Sequence, residues 1–517
     1  MPKWFQTTAI DYPNSRPHIG TAFEKLGADV QARYRRMEGY DVFFLMGNDE
    51  NTVKVAKKAA ELGQDVQAYC DEMARQFRSV WDALDISYDE FVQTSEPRHH
   101  QCCRAFIQKV YDNGYIRKDK FEGWYCNGCE AFKSEQEVKE ANGGCPLHPG
   151  LPLIRRSEEC YYFEQSRFRD RLLRLYEERP DFIQPDSRRN EIVALVTEGL
   201  QDLNITRLGE SWGIRVPWDE RFTIYVWFDA LLTYITGIGY GADESRFASW
   251  WPCDTHFIGK DITRFHCATW PAMLMAAGLE PPRMVFGHGF VYKKNEDTGA
   301  VERFSKTLGN VIEPLDIVTK FNVDAYRYFF LRECPFPGDG EFSWQRFAEV
   351  YNADLANNLG NLYSRIVTLI AKNFGGILPA SARRANANDH AAAVDQVRSH
   401  VESCRFNQAL EVIWRQILDP ANQYADQQAP WKLVKTDRDA AARVLFDLLE
   451  PLRCATILLK PIIPRSAETI YSSFGFAKPW SQVSFADARQ VAADTGDLRL
   501  LAPLDGGKVK PLFPRIA

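Results

Sequence analysis

The apolar positions near the start of the chain follow two different periods. The run Phe-Gln-Thr-Thr-Ala-Ile at residues 5–10, followed by a turn with two prolines, is typical of a short strand. From Ile19 to Met37 the apolar residues recur at spacings of three and four, which predicts a helix that Gly39 ends. Residues 41–46 have the composition of a buried parallel strand. This order predicts an α/β domain whose ligand site lies at the carboxyl ends of its strands, where His18 and Asp49 both fall.

The pattern changes twice further along the chain. Short, glycine-rich, cysteine-containing segments begin at about residue 116 and indicate an insertion. Apolar runs then return and predict further strands at 223–228, 256–261 and 284–291, and helical periodicity prevails after about residue 347. We therefore predict a Rossmann-like α/β domain split by an insertion and followed by an all-α helix bundle. The predicted units are 1–115 and 223–292 for the α/β domain, 116–222 for the insertion, 293–350 for a polar hairpin or mobile loop with the segment after it, and 351–517 for the bundle.

Composition limits the classes of protein. A chain of 517 residues is long enough for several domains, each with its own core. The net charge of −6 argues against broad nonspecific binding of nucleic acid, but a local basic stripe remains compatible with an RNA partner. We find neither a signal-peptide pattern nor an apolar run of about 18 residues, so no membrane span is expected. Most of the twelve cysteines are scattered singly, which is typical of reduced thiols in a cytoplasmic protein.

One candidate site follows the first predicted strand. His18-Ile19-Gly20-Thr21 stands at the predicted helix start, where unpaired backbone N–H groups and the helix dipole favour an anion. His18 adds a donor for a phosphate oxygen, and Gly20 allows a nucleotide to approach the backbone. Taken alone, the tetrapeptide is more often an ordinary helix start that carries a surface histidine.

A second candidate, residues 303–310, follows the predicted polar hairpin or loop. Its sequence is Arg-Phe-Ser-Lys-Thr-Leu-Gly-Asn, with Lys306 at its centre. Lysine is a point charge on a flexible stem, suited to neutralising charge that develops on leaving phosphates. By itself this segment also fits a solvated basic loop.

The insertion carries a metal-binding pattern. Cys126-x-x-Cys129 is followed by Cys145-x-x-His148, the ligand spacing of a tetrahedral Cys₃His zinc site. All four positions are protein ligands, so the predicted zinc is structural. The alternative is a set of reduced, unliganded thiols or a redox pair, against which the second Cys–His pair argues.

The helical end carries candidate RNA contacts. Leu355, Leu359, Leu362, Ile366 and Leu369 form one apolar helix face, beside which Asn361 and Arg365 lie on a polar stripe. Trp431, after Pro430, stands at a predicted helix start where it could stack on an unpaired base. The alternatives are a solvated helix face for the stripe and core packing for the tryptophan.

The two candidate phosphate-binding segments, in this order, resemble the two signature sequences of class I aminoacyl-tRNA synthetases. Nearly the whole chain resembles one family, the methionyl-tRNA synthetases, in its shorter, single-zinc form. The resemblance rests on residues 9–12, 17–20, 225–231, 257–262 with 265–266, 305–306, 429–431 and 511–516.

The resemblance implies a methionine–tRNA ligase that uses ATP with Mg²⁺ and serves initiator and elongator methionine tRNA. Asp49 would hold the methionine ammonium group. The cysteine-containing insertion would be the connective peptide with Zn²⁺, and Asn361, Arg365 and Trp431 would read the anticodon. The implied catalytic residues are His18, Thr21, Arg303 and Lys306. The implied ATP-binding residues are His18, Gly20, Gly259, Asp261 and Lys306, and the implied pocket for the methionine side chain is formed by Ile10, Trp227, Ala230, Tyr234, Ile262, Phe265 and His266.

The chain departs from the family pattern at several of these positions. Thr21 stands where the second histidine of the first signature is usual, Asn51 follows the Asp-Glu pair, and Arg303 replaces a lysine. The alternatives are a class I synthetase for another apolar amino acid and a non-catalytic paralogue that binds tRNA. The predicted insertion is too short for the editing domain usual in the leucine, isoleucine and valine enzymes. We expect a monomer, because the extra C-terminal dimerising domain of some members is not recognised in the sequence.

Overall fold

The computed structural model describes residues 1–126, 131–133, 135–145, 150–296, 298–302, 304, 311–383, 390–490, 496–505 and 508–516. The first unit confirms the predicted strand–helix–strand order. Helix α1 begins at Ile19, where the His18 ring accepts hydrogen bonds from the backbone N–H groups of Gly20 and Thr21. It ends before Gly39, whose φ of 83° is readily available only to glycine. The elements are β1 Lys3–Thr8, α1 Ile19–Met37, β2 Asp41–Asn48, α2 Val53–Glu61, α3 Val66–Ala83, β3 Glu90–Gln93 and α4 Pro97–Asp112.

The insertion is built on its own antiparallel sheet. Within the described ranges, strands β5, β4, β6 and β8 pair in this order. The unit predicted over 116–222 is not separate, however, because its strand β7 leaves it and joins the edge of the main parallel sheet beside β12. The elements are β4 Ile116–Cys126, β5 Ala131–Lys133, α5 Glu135–Glu140, β6 Ile154–Phe163, α6 Arg169–Glu178, β7 Ile183–Gln184, α7 Asp186–Glu198, β8 Leu203–Asn204, β9 Thr206–Leu208 and β10 Phe222–Ile224.

The return to α/β structure differs from the prediction in two strands. The strand predicted over 223–228 ends at Ile224 and is followed by helix α8, and it pairs with β9 outside the main sheet. The strand predicted over 284–291 is broken at Gly289, where a side chain would lie 1.8 Å from the carbonyl oxygen of Gly338. The elements are α8 Val226–Ala230, α9 Thr233–Thr236, α10 Glu244–Trp250, β11 Thr255–Gly259, a 3₁₀ turn Lys260–Ile262, a π turn Phe265–Thr269, α11 Trp270–Ala276, β12 Met284–His288, β13 Val291–Lys294 and β14 Val301–Glu302.

The main sheet has the strand order β3-β2-β1-β11-β12-β7 in the described chain, and all its pairs are parallel. The chain leaves β1 first toward β2 and later returns on the other side at β11. The crevice at such a reversal, outside the carboxyl ends of the strands, is where open α/β sheets bind ligands. The polar segment after β12 forms the predicted hairpin, since β13 pairs with β14 in antiparallel fashion.

The remainder of the described chain is mainly helical, as predicted. The predicted apolar face is buried at Leu355, Leu359, Leu362 and Ile366. No described helix is long and apolar enough to cross a membrane. The elements are α12 Pro314–Lys320, α13 Val323–Glu333, β15 Gly340–Phe342, α14 Trp344–Val350, a π turn Tyr351–Leu359, α15 Gly360–Phe374, β16 Ile377–Leu378, α16 Ala391–Glu402, α17 Phe406–Ile413, a π turn Trp414–Leu418, α18 Asp419–Gln428, α19 Pro430–Leu433, α20 Arg438–Leu459, α21 Pro464–Ser472, α22 Ala486–Arg489, β17 Leu498–Arg499, β18 Leu504–Asp505 and β19 Lys508–Val509, with short 3₁₀ turns at Gln165–Phe168, Pro180–Phe182, Ala380–Ala382 and Trp480–Gln482.

A buried arginine joins the two halves of the molecule. Arg327 of α13 is fully buried, and its Nη2 lies 2.6 Å from Oδ2 of Asp29 on α1. The same guanidinium donates to the carbonyl oxygens of Leu84, Pro461 and Ile462 at 2.8–3.1 Å. Burial opposes ionisation of Asp29, but Arg33 and Arg327 outweigh it and lower the pKa of Asp29 to about 2. We call Asp29, Arg33 and Arg327 the junction cluster.

Candidate active site

A cavity of about 480 Å³ opens at the carboxyl ends of β1 and β11. It has the size and composition of a small-molecule site, an apolar wall with a few convergent polar groups. Two of the predicted site residues, His18 and Asp49, both line this cavity. The lining residues are Ala9, Ile10, Asp11, Tyr12, Asn14, Ser15, Arg16, Pro17, His18, Gly20, Thr21, Glu24, Asp49, Phe77, Trp227, Ala230, Leu231, Tyr234, Gly259, Asp261, Ile262, His266, His288, Phe290, Val291, Tyr292 and Phe304.

The amino end of α1 forms one wall of the cavity. His18 Nδ1 accepts from the N–H groups of Gly20 at 3.1 Å and Thr21 at 3.3 Å, so Nε2 carries the ring proton. The Thr21 hydroxyl lies 3.4 Å from that Nε2, and Phe304 stacks on the ring at 6.3 Å between centroids. A side chain at position 20 would come within 3.0 Å of the His18 ring. The close contact with this ring is therefore a second reason for a glycine at position 20, besides the approach of a ligand. Because His18 caps the N–H groups of Gly20 and Thr21, the donors that this helix end offers an anion are the Nε2–H of His18 and the Thr21 hydroxyl, with the helix dipole behind them.

Asp49 is a buried carboxylate at the end of β2. Its side-chain atom Oδ1 has no hydrogen-bond partner among the described residues, and the Tyr12 hydroxyl donates to the carboxylate. Burial, and after it the charge of Glu50, raises the pKa of Asp49 well above its usual range. Asp229 of α8 is fully buried nearby, and burial together with Asp49 raises its pKa as well. An oxygen left unsatisfied at such a position favours a cationic ligand.

An apolar pocket adjoins Asp49. The short helix α8, which replaces part of the predicted strand, places Trp227 and Ala230 on one face, and both line the cavity with Ile10, Ile262 and Tyr234. Phe265 was predicted to line this pocket, but it is not a lining residue. It stacks on the Trp227 ring at 4.0 Å between centroids, with the two planes parallel, and so fixes the orientation of that ring.

His266 supports the same pocket in its neutral form. Burial lowers the pKa of His266 to about 4. Its Nδ1 lies 3.1 Å from the carbonyl oxygen of Ile262 and therefore carries the proton. Nε2 then accepts from the Tyr234 hydroxyl at 2.7 Å. The hydroxyl points its proton at His266, so Tyr234 presents its ring to the cavity.

The opposite side of the cavity is polar. Gly259 ends β11, and a side chain there would lie 2.7 Å from Oδ1 of Asp261, which is exposed at the cavity mouth. His288 at the end of β12 is the register partner of Gly259. Its Nε2 lies 2.9 Å from Oε2 of Glu24 on α1. The predicted ATP-binding residues His18, Gly20, Gly259 and Asp261 thus share one cavity.

Sequence reasoning missed several polar residues of this cavity. Asp11 and Tyr12 follow β1 at its carboxyl end, a position that signals a ligand site by the same rule that selected Asp49. The same rule does not select Glu24, Lys25 or His288, because none of them follows a predicted strand. A charged pair within a helix is usually solvated, and only the fold shows that Glu24 and Lys25 are buried.

Four predicted residues lie outside the described part of the chain. Arg303 and Lys306 belong to the second candidate segment, of which only Phe304 is described, beside His18. Of the predicted zinc ligands, Cys126 and Cys145 are described and buried, whereas Cys129 and His148 are not described. In the described residues no group of three or more potential metal ligands is found, and this set lacks two of the four predicted ones.

The predicted RNA contacts come together on the helical domain. The Arg365 guanidinium lies 5.3 Å from the centre of the Trp431 ring, and its Nη1 is 2.9 Å from Oδ1 of Asp426. Asn361 stands one helical turn before Arg365 on α15 and therefore on the same face. All three side chains are half-buried, so Trp431 is neither a core residue nor fully exposed.

Two family models match this chain. The model for class I tRNA synthetases (M) matches residues 4–150 and 147–367. The model for the anticodon-binding domain of methionyl tRNA ligase matches residues 376–496.

Curated relatives and solved structures agree with these matches. The chain is 41% identical over 493 residues to the methionine–tRNA ligase of Synechocystis sp., covering 93% of this chain and 91% of that protein. It is 40% identical over 521 residues to the methionine–tRNA ligase of Nostoc sp., covering 99% and 96%. The structure of Mycobacterium tuberculosis methionyl-tRNA synthetase in complex with methionyl-adenylate matches with a TM-score of 0.88 and 37% identity over 100% of both chains. The free-state structure of the same enzyme matches with a TM-score of 0.81 and 34% identity over 100% of this chain and 99% of that one.

Proposed function

The chain belongs to the methionyl-tRNA synthetases, and we propose that the cavity at the end of its parallel sheet is where methionine is activated. Its activity is that of a methionine–tRNA ligase. ATP and methionine give methionyl-adenylate and pyrophosphate, and methionine then passes to the 3′ end of tRNA. The observation that carries the site is the unpartnered buried oxygen of Asp49 between an apolar pocket and the amino end of α1.

Asp49 is proposed to bind the ammonium group of methionine. The positive charge of the ammonium group pairs with the buried carboxylate of Asp49, and the Tyr12 hydroxyl holds this carboxylate in place. The thioether has little hydrogen-bonding capacity, so recognition depends on shape and on contacts between sulfur and aromatic rings. Trp227, held by Phe265, and Tyr234, held by His266, provide such a wall.

The amino end of α1 is proposed to bind the phosphates of ATP. A methionine carboxylate oxygen attacks the α-phosphorus in line. The new oxygen–phosphorus bond forms as the bond from the α-phosphorus to the bridging oxygen breaks, and pyrophosphate leaves with that oxygen. His18 and Thr21 offer donors to the phosphate oxygens, and Gly20 keeps the approach open. Asp261, beside Gly259, is proposed to bind the ribose. Arg303 and Lys306 are proposed to neutralise the leaving pyrophosphate, and Mg²⁺ brought in with ATP would add to this neutralisation.

The insertion is proposed to hold one structural Zn²⁺ through Cys126, Cys129, Cys145 and His148. Two buried cysteine side chains and the spacing of all four residues support this set. When bound, the metal would cross-link the two parts of the insertion that carry its four ligands. The scattered single cysteines further support a reducing compartment, and we infer that the protein acts in the cytoplasm.

The helical domain is proposed to recognise the anticodon of initiator and elongator methionine tRNA. Trp431, half-buried under the Arg365 guanidinium, offers a ring face to an unpaired base. Arg365 and Asn361 offer donors on the same side.

Methionine-dependent ATP–pyrophosphate exchange tests the adenylation half of this proposal. We expect exchange with methionine and with none of the other nineteen amino acids. Lys306→Ala should reduce exchange by about a thousandfold or more, because the charge on the leaving pyrophosphate is no longer neutralised. Lys294→Ala on the neighbouring hairpin is the matched control and should leave exchange within about twofold of the wild type, since exposed charges contribute little.

Two results would contradict the proposal in different ways. Exchange with a different apolar amino acid would retain the reaction and refute the substrate. If folded protein shows no exchange with any amino acid, the proposal that it is an enzyme is refuted. That result would favour a paralogue that binds tRNA without activating an amino acid.

A further inference from the structure

Lys25 is a buried lysine that no part of the proposed mechanism uses. Its side chain is 1% exposed, on the face of α1 that turns toward the sheet. Nζ donates to the carbonyl oxygen of Ala9 at 2.9 Å and lies 3.0 Å from Oδ2 of Asp11 and 2.6 Å from Oε1 of Glu24. Asp11 and Glu24 line the cavity, whereas Lys25 lies behind them. A lysine at this depth is found in proteins only when it is paired.

The Glu24 carboxylate continues the network to a second strand. Its Oε2 lies 2.9 Å from Nε2 of His288, and Nδ1 of the same ring lies 2.7 Å from the carbonyl oxygen of Gly289. The His288 ring therefore bridges the Glu24 carboxylate and the backbone after β12 through its two nitrogens. We call Asp11, Glu24, Lys25 and His288 the pocket cluster.

The Lys25 ammonium is the cation that both carboxylates of the pocket cluster share. These carboxylates lie at the floor of a cavity that is proposed to admit ATP. Glu24 and His288 stand on the side of Gly259, the half assigned to the nucleotide. An unbalanced carboxylate there would repel the negative charge of ATP, and in a cavity of reduced dielectric this repulsion is stronger than in water.

We propose that Lys25 is a positioning residue for adenylation: it neutralises and orients Asp11 and Glu24 so that the floor of the cavity accepts the nucleotide. Lys25 itself touches neither substrate. Its removal should therefore weaken the interaction with ATP, and much less that with methionine, whose proposed partners Asp49 and Trp227 lie outside the pocket cluster. This inference rests on the proposed function of the cavity.

The test compares KM values in methionine-dependent ATP–pyrophosphate exchange. Lys25→Met keeps the length and apolar stem of the side chain and removes the charge. We expect the KM for ATP to rise about tenfold or more while the KM for methionine stays within about threefold. The double variant Lys25→Met/Asp11→Asn removes one charge of each sign, and we expect its KM for ATP to return to within about threefold of the wild type.

A matched control separates this role from general destabilisation. Lys460 of the helical domain also donates to two carbonyl oxygens, those of Trp480 at 2.6 Å and Val483 at 3.0 Å. In the sequence these residues are far from those that line the cavity. Lys460→Met should lower the melting temperature without changing either KM. Thermal unfolding of all variants is followed in parallel.

The possible outcomes are distinct. A folded Lys25→Met variant with an unchanged KM for ATP would overturn the inference, as would an equal rise in both KM values. If the single variant does not fold, the double variant decides. If the double variant folds and its KM for ATP is near that of the wild type, the result supports the neutralising role of Lys25. A double variant that is no more stable than the single one contradicts this role. Wild-type protein without exchange would refute the proposed function instead.

Discussion

Two clusters of buried charge share helix α1 and differ in what their charges face. In the junction cluster, Arg327 is enclosed by Asp29 and by backbone carbonyl oxygens from two other segments, so its donors are used within the protein. Lys25 of the pocket cluster lies only four residues before Asp29 on the helix, but both carboxylates of this cluster border a cavity. Burial raises the pKa of Asp11 to about 6 against the opposing effect of Lys25, whereas the pKa of Asp29 is lowered to about 2.

The comparison distinguishes buried charges that stabilise the fold from buried charges that serve a ligand. A buried ion network whose hydrogen bonds are all made within the protein fixes the position of elements. A network that ends at a cavity, beside an acceptor without a partner such as Asp49 Oδ1, leaves part of its bonding capacity for a ligand. We therefore expect substitutions in the first cluster to change stability and those around the second to change substrate binding.

The largest effect is expected at Asp49. Asp49→Asn keeps the shape of the side chain and removes the charge that the methionine ammonium requires. We expect kcat/KM for methionine in the exchange assay to fall by about a thousandfold, since a buried charged partner contributes several kcal/mol. The free energy of unfolding should stay unchanged or rise, because the wild-type carboxylate is buried with one oxygen unpartnered. A variant that loses stability but keeps its activity would contradict the assignment of Asp49 to the ligand.

The opposite result is expected at Arg327. Arg327→Met removes the fully buried one of the two guanidinium partners of Asp29 and leaves buried carbonyl oxygens without their donor, and we expect the free energy of unfolding to fall by about 3–5 kcal/mol. In the folded protein the KM values for methionine and ATP should remain within about twofold. Chemical denaturation and exchange kinetics measure the two quantities. Arg415→Met is the control: this arginine is 72% exposed and pairs with Glu411 on the same turn, so its loss should cost less than about 1 kcal/mol.

A smaller effect, confined to the second half-reaction, is expected at Trp431. Trp431→Ala removes a ring proposed to stack on an anticodon base, an interaction of about 1–3 kcal/mol. We expect kcat/KM for tRNA charging to fall by about tenfold to a hundredfold while ATP–pyrophosphate exchange is unaffected. Trp480→Ala, at another half-buried tryptophan of this domain, should leave charging unchanged. Equal losses of exchange and charging would indicate damage to the fold rather than to RNA recognition.

The smallest expected effect is a difference in pH dependence between the two clusters. The pKa of Asp29 is lowered to about 2 in the folded state, so its stabilisation is complete above the ordinary value of 3.8 and is lost only as pH falls toward 2. The pKa of Asp11 is raised to about 6, so the folded state holds its proton more tightly, and stability falls as pH rises from 3.8 to about 6.

Urea unfolding from about pH 4.5 to pH 7 distinguishes the two behaviours. The stability difference between wild type and Asp29→Asn should stay constant over this range. The difference for Asp11→Asn should shift in favour of the variant up to about pH 6 and then level off. Parallel curves for the two variants would show that the carboxyl groups titrate alike.

Several features of the site were predictable because their signals are local. The start of α1 at Ile19 follows from its apolar spacing, and the anion site follows from the turn before it. Asp49 followed from its place after a buried strand. The strand predicted through Phe228 was wrong because its apolar run also fits a short buried helix, and periodicity over so few residues cannot separate the two.

The sequence alone determined the family, the strand–helix–strand unit with its phosphate turn, and the spacing of the proposed zinc ligands. Each of these depends on short motifs whose residues lie close together in the chain, even where the motifs themselves are far apart. Only the tertiary structure decided that β7 returns to the main sheet, that Phe265 supports Trp227 from outside the cavity, and that Lys25 and Asp29 are buried in different clusters on one helix. Burial of a charge depends on what packs around it, and those neighbours are hundreds of residues away: His288 for Glu24, and Arg327 for Asp29.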